Sequence, residues 1–384
     1  MIKTQDFKTR SLFYNRKNET VNHYNQVAID VGYSSVKGFS PSSVFCFPSF
    51  VKKVGAGGLL TITAANPDDI LYKDLVTNEI WMVGTLATDA ISPDESNYST
   101  AELFGRNRYS SPHFYIPARV GLAFSLRNYN KSLPIHLQTG LPPKYLGDTA
   151  ILKEALAGEY HFAVKRGSNP WEEFHFELLE SNIEVIAQPK GTLFSLAYDN
   201  HGHRAVNADK IFNSKILIFD AGFETLDLFN IRKIELDSEE TFTEFGMRQV
   251  FTETTNAINK QYGIEIPVPV LQQNLKSGTF RKFDRKSLKS VEEPFADILE
   301  EASNTICDKA IGKIRSLYSD MVYHDYLVLA GGTGEAWFDR IADTFKDLET
   351  LKCISGTQND SLPSIFSNVR GYYMYQLNLL RRKR

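Results

Sequence analysis

VAIDVGYSSVKGF, residues 27–39, is the stretch on which the reading of the fold turns. The apolar run Val27, Ala28 and Ile29 is β-type and delivers Asp30 to a turn at Gly32, after which Ser34 and Ser35 lead to Lys37. That order suits a phosphate grip. Glycine permits a tight turn whose backbone N–H groups can approach an anion, the hydroxyls add donors, and the lysine is a point charge for a phosphate oxygen. Residues 216–229, ILIFDAGFETLDLF, repeat the design with Asp220, Gly222, Thr225 and Asp227. Either copy alone also reads as an ordinary β-hairpin. Two that face each other would hold a polyphosphate between them.

A third element, YLVLAGGTG at residues 326–334, is a buried-type strand opening onto glycines ahead of a helical pattern. In this order and spacing the three resemble the phosphate 1, phosphate 2 and adenosine motifs of the actin, sugar-kinase and heat-shock chaperone superfamily. Over residues 27–375 the chain is similar to the bacterial actins, closest to the ParM and Alp group of plasmid-segregation ATPases. WMVGTLA (81–87), TGLPP (139–143), the Gln-Pro-x-Gly run at 188–191 and SNVRGYY (367–373) also carry that resemblance.

The resemblance implies an α/β, actin-like fold in which two domains of duplicated, ribonuclease H-like sheet and helix units surround a nucleotide cleft. Residues 26–190 with 361–384 would form domain I and residues 191–360 domain II. The first 25 residues have no counterpart in a minimal actin core and read as a flexible extension. By the same resemblance Asp30, Gly32, Tyr33, Ser34, Ser35 and Lys37 would bind the β- and γ-phosphates and the metal. Asp220, Gly222, Phe223, Glu224 and Thr225 would close on the other side, Gly246 would lie near the ribose, and Gly331, Gly332 and Thr333 would line the adenosine pocket. Gln188 falls where the family places a Glu or Gln that activates water. Phe223 and Glu224 depart from the small or hydroxyl residues usual there, and a carboxylate beside a γ-phosphate is repulsive unless a cation lies between them.

Magnesium with ATP keeps several waters, so one or two carboxylates suffice. Asp30 and Asp220, at the ends of the two strands, could hold it through water. Hydrolysis then needs a side chain to orient a water in line with the γ-phosphate, and Gln188 and Asp220 are the catalytic candidates. A G-x-x-x-x-G-K-[ST] loop and a G-x-G-x-x-G after a strand are absent, so P-loop and Rossmann dinucleotide readings fail, and there is no G-x-S-x-G nucleophile elbow. His201 and His203 have metal-compatible spacing but no third ligand nearby and read as loop residues.

At 384 residues and 42% hydrophobic content the chain can bury a core large enough for two domains. A formal charge of −3 gives no nucleic-acid or anionic-membrane signature. Basic residues cluster at the start, at the RRKR end (381–384) and in the phenylalanine-bearing stretch 276–290, which reads as an exposed helix and loop face. Cys46, Cys307 and Cys353 form no C-x-x-C pair, which points to a reducing cytoplasm. No apolar run is long enough for a membrane span. Residues 55–58 read as a glycine-rich loop, 59–62 as a strand, and the polar segment 89–108 as a functional loop or subdomain edge.

The function these readings imply is an ATP-hydrolysing protein, with GTP as the other nucleotide, that polymerises head to tail in the cytoplasm. It would move plasmid DNA through a DNA-binding adaptor, not by touching DNA or membrane itself. A small-metabolite kinase and a non-hydrolysing nucleotide-dependent filament or binding module are the rival readings.

Overall fold

The computed structural model describes residues 3–9, 11–55, 64–90, 106–284 and 288–382. They divide into two units. The first holds the described residues between 11 and 213 and those from Gly356 onward; the second holds Ser214–Ser355 and the described residues up to Thr9.

Strands of the first unit are β1 (Leu12–Asn15), β2 (Asn25–Val31), β3 (Ser35–Phe39), β4 (Ser43–Pro48), β5 (Val51–Lys53), β6 (Ile70–Asp74), β7 (Ile80–Val83), β8 (Ile135–Leu141), β9 (Gly158–Arg166), β10 (Glu172–Leu178) and β11 (Ile183–Ala187). One sheet has the order β1-β4-β3-β2-β8-β11 and a second, wholly antiparallel one the order β10-β9-β6-β7-β5. In the first sheet β2, β3 and β4 form an antiparallel meander, while β8 and β11 run parallel to β2. Alternation along β2 sends Val27 and Ile29 into the core with the Pro112–Ser125 helix, and Ala28 into the opposite core with Val369, Tyr372 and Tyr373 of the Ser367–Arg382 helix. A strand covered on both faces is apolar throughout, hence the uninterrupted Val27–Ile29 run.

The second unit contains β12 (Lys215–Ala221), β13 (Leu226–Arg232), β14 (Glu235–Phe242), β15 (Thr279–Asp284), β16 (Lys289–Pro294), β17 (Tyr326–Ala330) and β18 (Lys352–Ser355). Its main sheet has the order β14-β13-β12-β17-β18, again a meander followed by two parallel strands. The duplication read in the two hairpins therefore extends to whole sheets. Leu217 and Phe219 of β12 pack with Val250, Phe251 and Ile258 of the Met247–Tyr262 helix and with Ile306 and Ala310 of the Ala296–Leu317 helix.

Three expectations are corrected. The N-terminal residues are not a free extension: β1 pairs with β4 at the sheet edge, and the Thr4 hydroxyl is buried and donates to the Leu275 carbonyl at 2.8 Å. The basic stretch 276–290 is not a helix and loop face but the start of the β15–β16 ribbon, in which Phe280 is buried and Lys282 pairs with Glu293 at 2.6 Å. The chain also divides elsewhere than after residue 190, because the Gln188–Ala197 and Ala208–Asn213 helices belong to the first unit. The expected loop at 56–58, the strand at 59–62, most of the segment 89–108 and the last two residues of the basic tail lie outside the described residues.

His324 in the second unit is buried, and its Nε2 shares a 3.1 Å hydrogen bond with Asn230 Oδ1. Burial, with help from the Lys215 charge, pushes its pKa down to about 4. The unfolded chain binds this proton near pH 6.5 and the folded one only near 4, so His324 weakens the fold as pH falls through that window. Urea titrations should show stability dropping by about 3 kcal/mol from pH 7 to pH 4 in excess of an Asn variant at position 324.

Candidate functional site

In the first unit the β2–β3 turn is closed by the Gly32 N–H donating to the Ser35 carbonyl at 3.1 Å. Asp30 and Lys37 face each other across the hairpin, with Lys37 Nζ 3.3 Å from Asp30 Oδ2. Asp30 is 5% exposed, whereas Gly32, Tyr33 and Ser34 are half-buried. The loop after β4 braces the turn: Ser49 Oγ donates to the Gly32 carbonyl at 2.9 Å and its N–H to the Ser34 carbonyl at 3.0 Å. Beneath lies Cys46, opposite Lys37, whose thiol burial pushes up to about 11 against the pull of Lys37 and Ser35. It is an inert apolar filler, not a nucleophile.

Parallel pairing places Gln188 on the same edge. Ala28 is level with Gln138, and Gln138 with Glu184. Two residues further along each strand come Asp30, Gly140 and Ile186, and Gln188 follows β11 directly as the first residue of its helix. With strands about 4.8 Å apart, β2 and β11 are separated by about 10 Å. Carboxyl ends of parallel strands are where open α/β sheets bind ligands.

The second unit repeats the turn position by position. The Gly222 N–H donates to the Thr225 carbonyl at 2.9 Å, and Asp220 pairs across the hairpin with Asp227. Asp227 accepts hydrogen bonds from the Thr225 and Thr241 hydroxyls at 2.8 and 2.7 Å. Its parallel neighbour β17 puts Ala330 beside Asp220, so Gly331, Gly332 and Thr333 open next to the turn. Thr333 Oγ1 donates to the Gly222 carbonyl at 2.7 Å. Gly331 has φ +76°, and a Cβ there would come within 2.8 Å of Asp220 Oδ1. Gly246, the residue before the Met247–Tyr262 helix, lets that helix start against the turn. A Cβ on it would lie 2.5 Å from the Phe223 carbonyl oxygen, and the Met247 and Arg248 N–H groups donate to the Gly222 and Phe223 carbonyls.

The structure thus brings Asp30, Gly32, Tyr33, Ser34, Ser35 and Lys37 together in the first unit, with Gln188 on the same sheet edge two strands away. It brings Asp220, Gly222, Phe223, Glu224, Thr225, Gly246, Gly331, Gly332 and Thr333 together in the second. Two arginines at these turns went unread in the sequence. Arg248 Nη1 lies 3.0 Å from Glu224 Oε2 and supplies the cation that this carboxylate calls for. Arg108 lies against the first turn, its Nη2 donating to the Val31 carbonyl at 2.5 Å. Neither sits in a local pattern; Arg248 carried only the hint of following Gly246 by two residues.

The motif glycines at 191 and 371 have a different task. The helices that contain them cross there, and a Cβ on Gly191 would come within 2.6 Å of the Tyr372 ring and 2.8 Å of the Asn368 carbonyl. Arg370, fully buried, donates to the Ser195 and Tyr198 carbonyls and to Asn200 Oδ1, and it pairs with Asp360 at 3.3 Å. It satisfies carbonyls at the end of the helix whose first residue is Gln188.

Among the described residues no group of three or more His, Cys, Asp or Glu side chains is placed to hold a metal, and no helix is long and apolar enough to cross a membrane. Residues 28–191 match the family model described as the N-terminal domain of actin-like proteins. Among solved structures, a 15-stranded ParM filament from Clostridium botulinum matches at 21% identity and a TM-score of 0.65, covering 94% of this chain and 99% of that one. The actin-like protein Alp7A matches at 14% identity and 0.63, over 93% of this chain and 97% of the other. An archaeal actin homologue in complex with ADP matches at 15% and 0.59, over 93% and 99%. No curated protein sequence matches. The fold is the actin-like fold.

Proposed function

We propose that this chain, which carries an actin-like N-terminal domain and the actin-like fold, binds and hydrolyses ATP and assembles into filaments that segregate plasmid DNA through a DNA-binding adaptor. The observation that carries the reading is the repeated turn. In each unit an aspartate is the last residue but one of a strand with a parallel neighbour, a glycine follows two residues on, and a hydroxyl residue five on closes the turn through its carbonyl. Two such turns in matching sheets are what a polyphosphate needs if each unit is to hold one side of it. Relatives support nucleotide and assembly separately: one is an ADP complex and one a filament.

The donor set fits a hard cation that keeps its waters. Asp30 uses one oxygen on Lys37, and the carboxylates of Asp30 and Asp220 would each accept from a water of the metal shell. Bound magnesium would offset phosphate charge. Gln188 would orient the attacking water, and Gly331, Gly332 and Thr333, beside the second turn, would face the nucleoside with Gly246 near the ribose. Head-to-tail contact joins unlike surfaces and does not close, which gives a filament. The cytoplasm is the compartment in which such a filament meets plasmid DNA.

Light scattering and electron microscopy with phosphate release test this reading. Filaments should appear with ATP and magnesium, and phosphate should be released without any added acceptor. A chain that stays monomeric at high concentration with ATP defeats the polymer reading. Polymer without phosphate release leaves a non-hydrolysing module.

A further inference from the structure

We infer that Arg108 supplies a positive charge to the anion held by the first turn, an inference that rests on the nucleotide reading above. Lys37, the cation expected there, is tied to Asp30 at 3.3 Å, so the pair is close to neutral. A triphosphate carries several negative charges, and the turn as read from sequence offers backbone donors and little net charge against them.

Arg108 alters that balance. It sits in the short helix Arg106–Ser110 and reaches back to the turn 77 residues earlier, where Nη2 donates to the Val31 carbonyl at 2.5 Å. Its guanidinium carbon lies 4.4 Å from the centre of the Tyr33 ring and 5.1 Å from that of Phe114. One carbonyl and aromatic faces are its described partners, with no described carboxylate pairing with it. A guanidinium has five N–H donors, ring faces hold the plane through its charge, and one carbonyl takes one donor. Donors and a full charge therefore remain at the edge of this turn. Planar donors of this kind bind phosphate in pairs, which an ammonium cannot do. The ligand class is a di- or triphosphate, bound through its outer phosphates.

Calorimetric titration of the full chain with AMP-PNP, ADP and adenosine, each with magnesium, tests this on wild type and on Arg108→Lys, Arg108→Gln and Arg108→Ala. The dissociation constant for AMP-PNP should rise by about tenfold or more in the Gln and Ala variants, that for ADP less, and that for adenosine not at all. Lys should recover part of the loss. Equal weakening for all three ligands, or the same loss in the Lys variant as in Gln, would show that Arg108 only shapes the turn and would overturn the inference. So would AMP-PNP affinity unchanged in Arg108→Gln. If Arg108→Ala does not fold, the Lys and Gln variants decide. Wild type that binds adenosine and ADP while Arg108 variants do not differ from it sinks Arg108 alone. Wild type that binds none of the three overturns the nucleotide reading, and Arg108 with it.

Discussion

Gly371→Ala is expected to leave little folded protein, whereas Ala substitution at exposed Gly147, where an added Cβ meets nothing within 4 Å, is expected to be near neutral. A Cβ on Gly371 would lie 2.5 Å from the Gly191 carbonyl carbon and 2.9 Å from its Cα, with the carbonyl oxygen closer still. Every one of these atoms is backbone, so no rotamer change can relieve the overlap and the two helices must separate. Separation also withdraws Tyr372, whose ring covers Gly140 and Gly191, and pulls Arg370 off the Ser195 and Tyr198 carbonyls while leaving its charge buried against Asp360. Overpacking in a side-chain core typically costs about 1–3 kcal/mol, and leaving hydrogen bonds of a buried charged group unmade about 1–3 kcal/mol or more. The combined penalty should exceed about 4 kcal/mol, which is most of the stability of an ordinary domain. Circular dichroism and urea unfolding of the purified variant check it. A Gly371→Ala protein that melts within a few degrees of wild type would show that the helices do not cross as closely as described.

Gly371 also shows what the sequence could and could not disclose. Its motif, SNVRGYY, was visible as a resemblance, yet its physical role depends on Gly191, 180 residues away, and no local pattern states that pairing. The two hairpins were legible because their chemistry is local: an apolar strand, an aspartate, a glycine and a hydroxyl within ten residues fix both register and turn. β1 was not, since LFYN is short and gains its strand geometry only from pairing with β4. The β15–β16 ribbon was hidden because Arg281 and Lys282 mask the alternation, although Phe280 is buried and the Lys282 ammonium lies over the Tyr262 ring. The division after residue 190 failed for the same reason as Gly371: the bonds that keep the Gln188–Ala197 helix in the first unit come from Asn359, Asn368 and Arg370. Arg108 and Arg248 belong in this class too, because each acquires its role from a turn it reaches only through the fold.

Gln188→Ala and Asp220→Ala are expected to reduce phosphate release about 10²- to 10³-fold while leaving folded proteins that still bind nucleotide. Gln188 is half-buried and its backbone opens a helix anchored by Gly191 and Arg370, so truncation removes the amide without disturbing what holds it. In phosphoryl transfer the protein contributes mainly position and charge, so a water that loses its orienting amide stays bound but reacts from the wrong place. Asp220 differs, since Gly331 makes room for its carboxylate and the turn hydrogen bonds of Gly222 and Thr333 do not use it. Asp220→Asn keeps the shape and removes the charge, and should lose as much turnover as Ala if the carboxylate acts through a metal-bound water. Single-turnover phosphate release with pre-bound ATP separates this from weaker binding. Turnover unchanged in both Ala variants would place the chemistry elsewhere, and loss in Asp220→Ala with full activity in Gln188→Ala would reassign the water-orienting role to another side chain of the first unit.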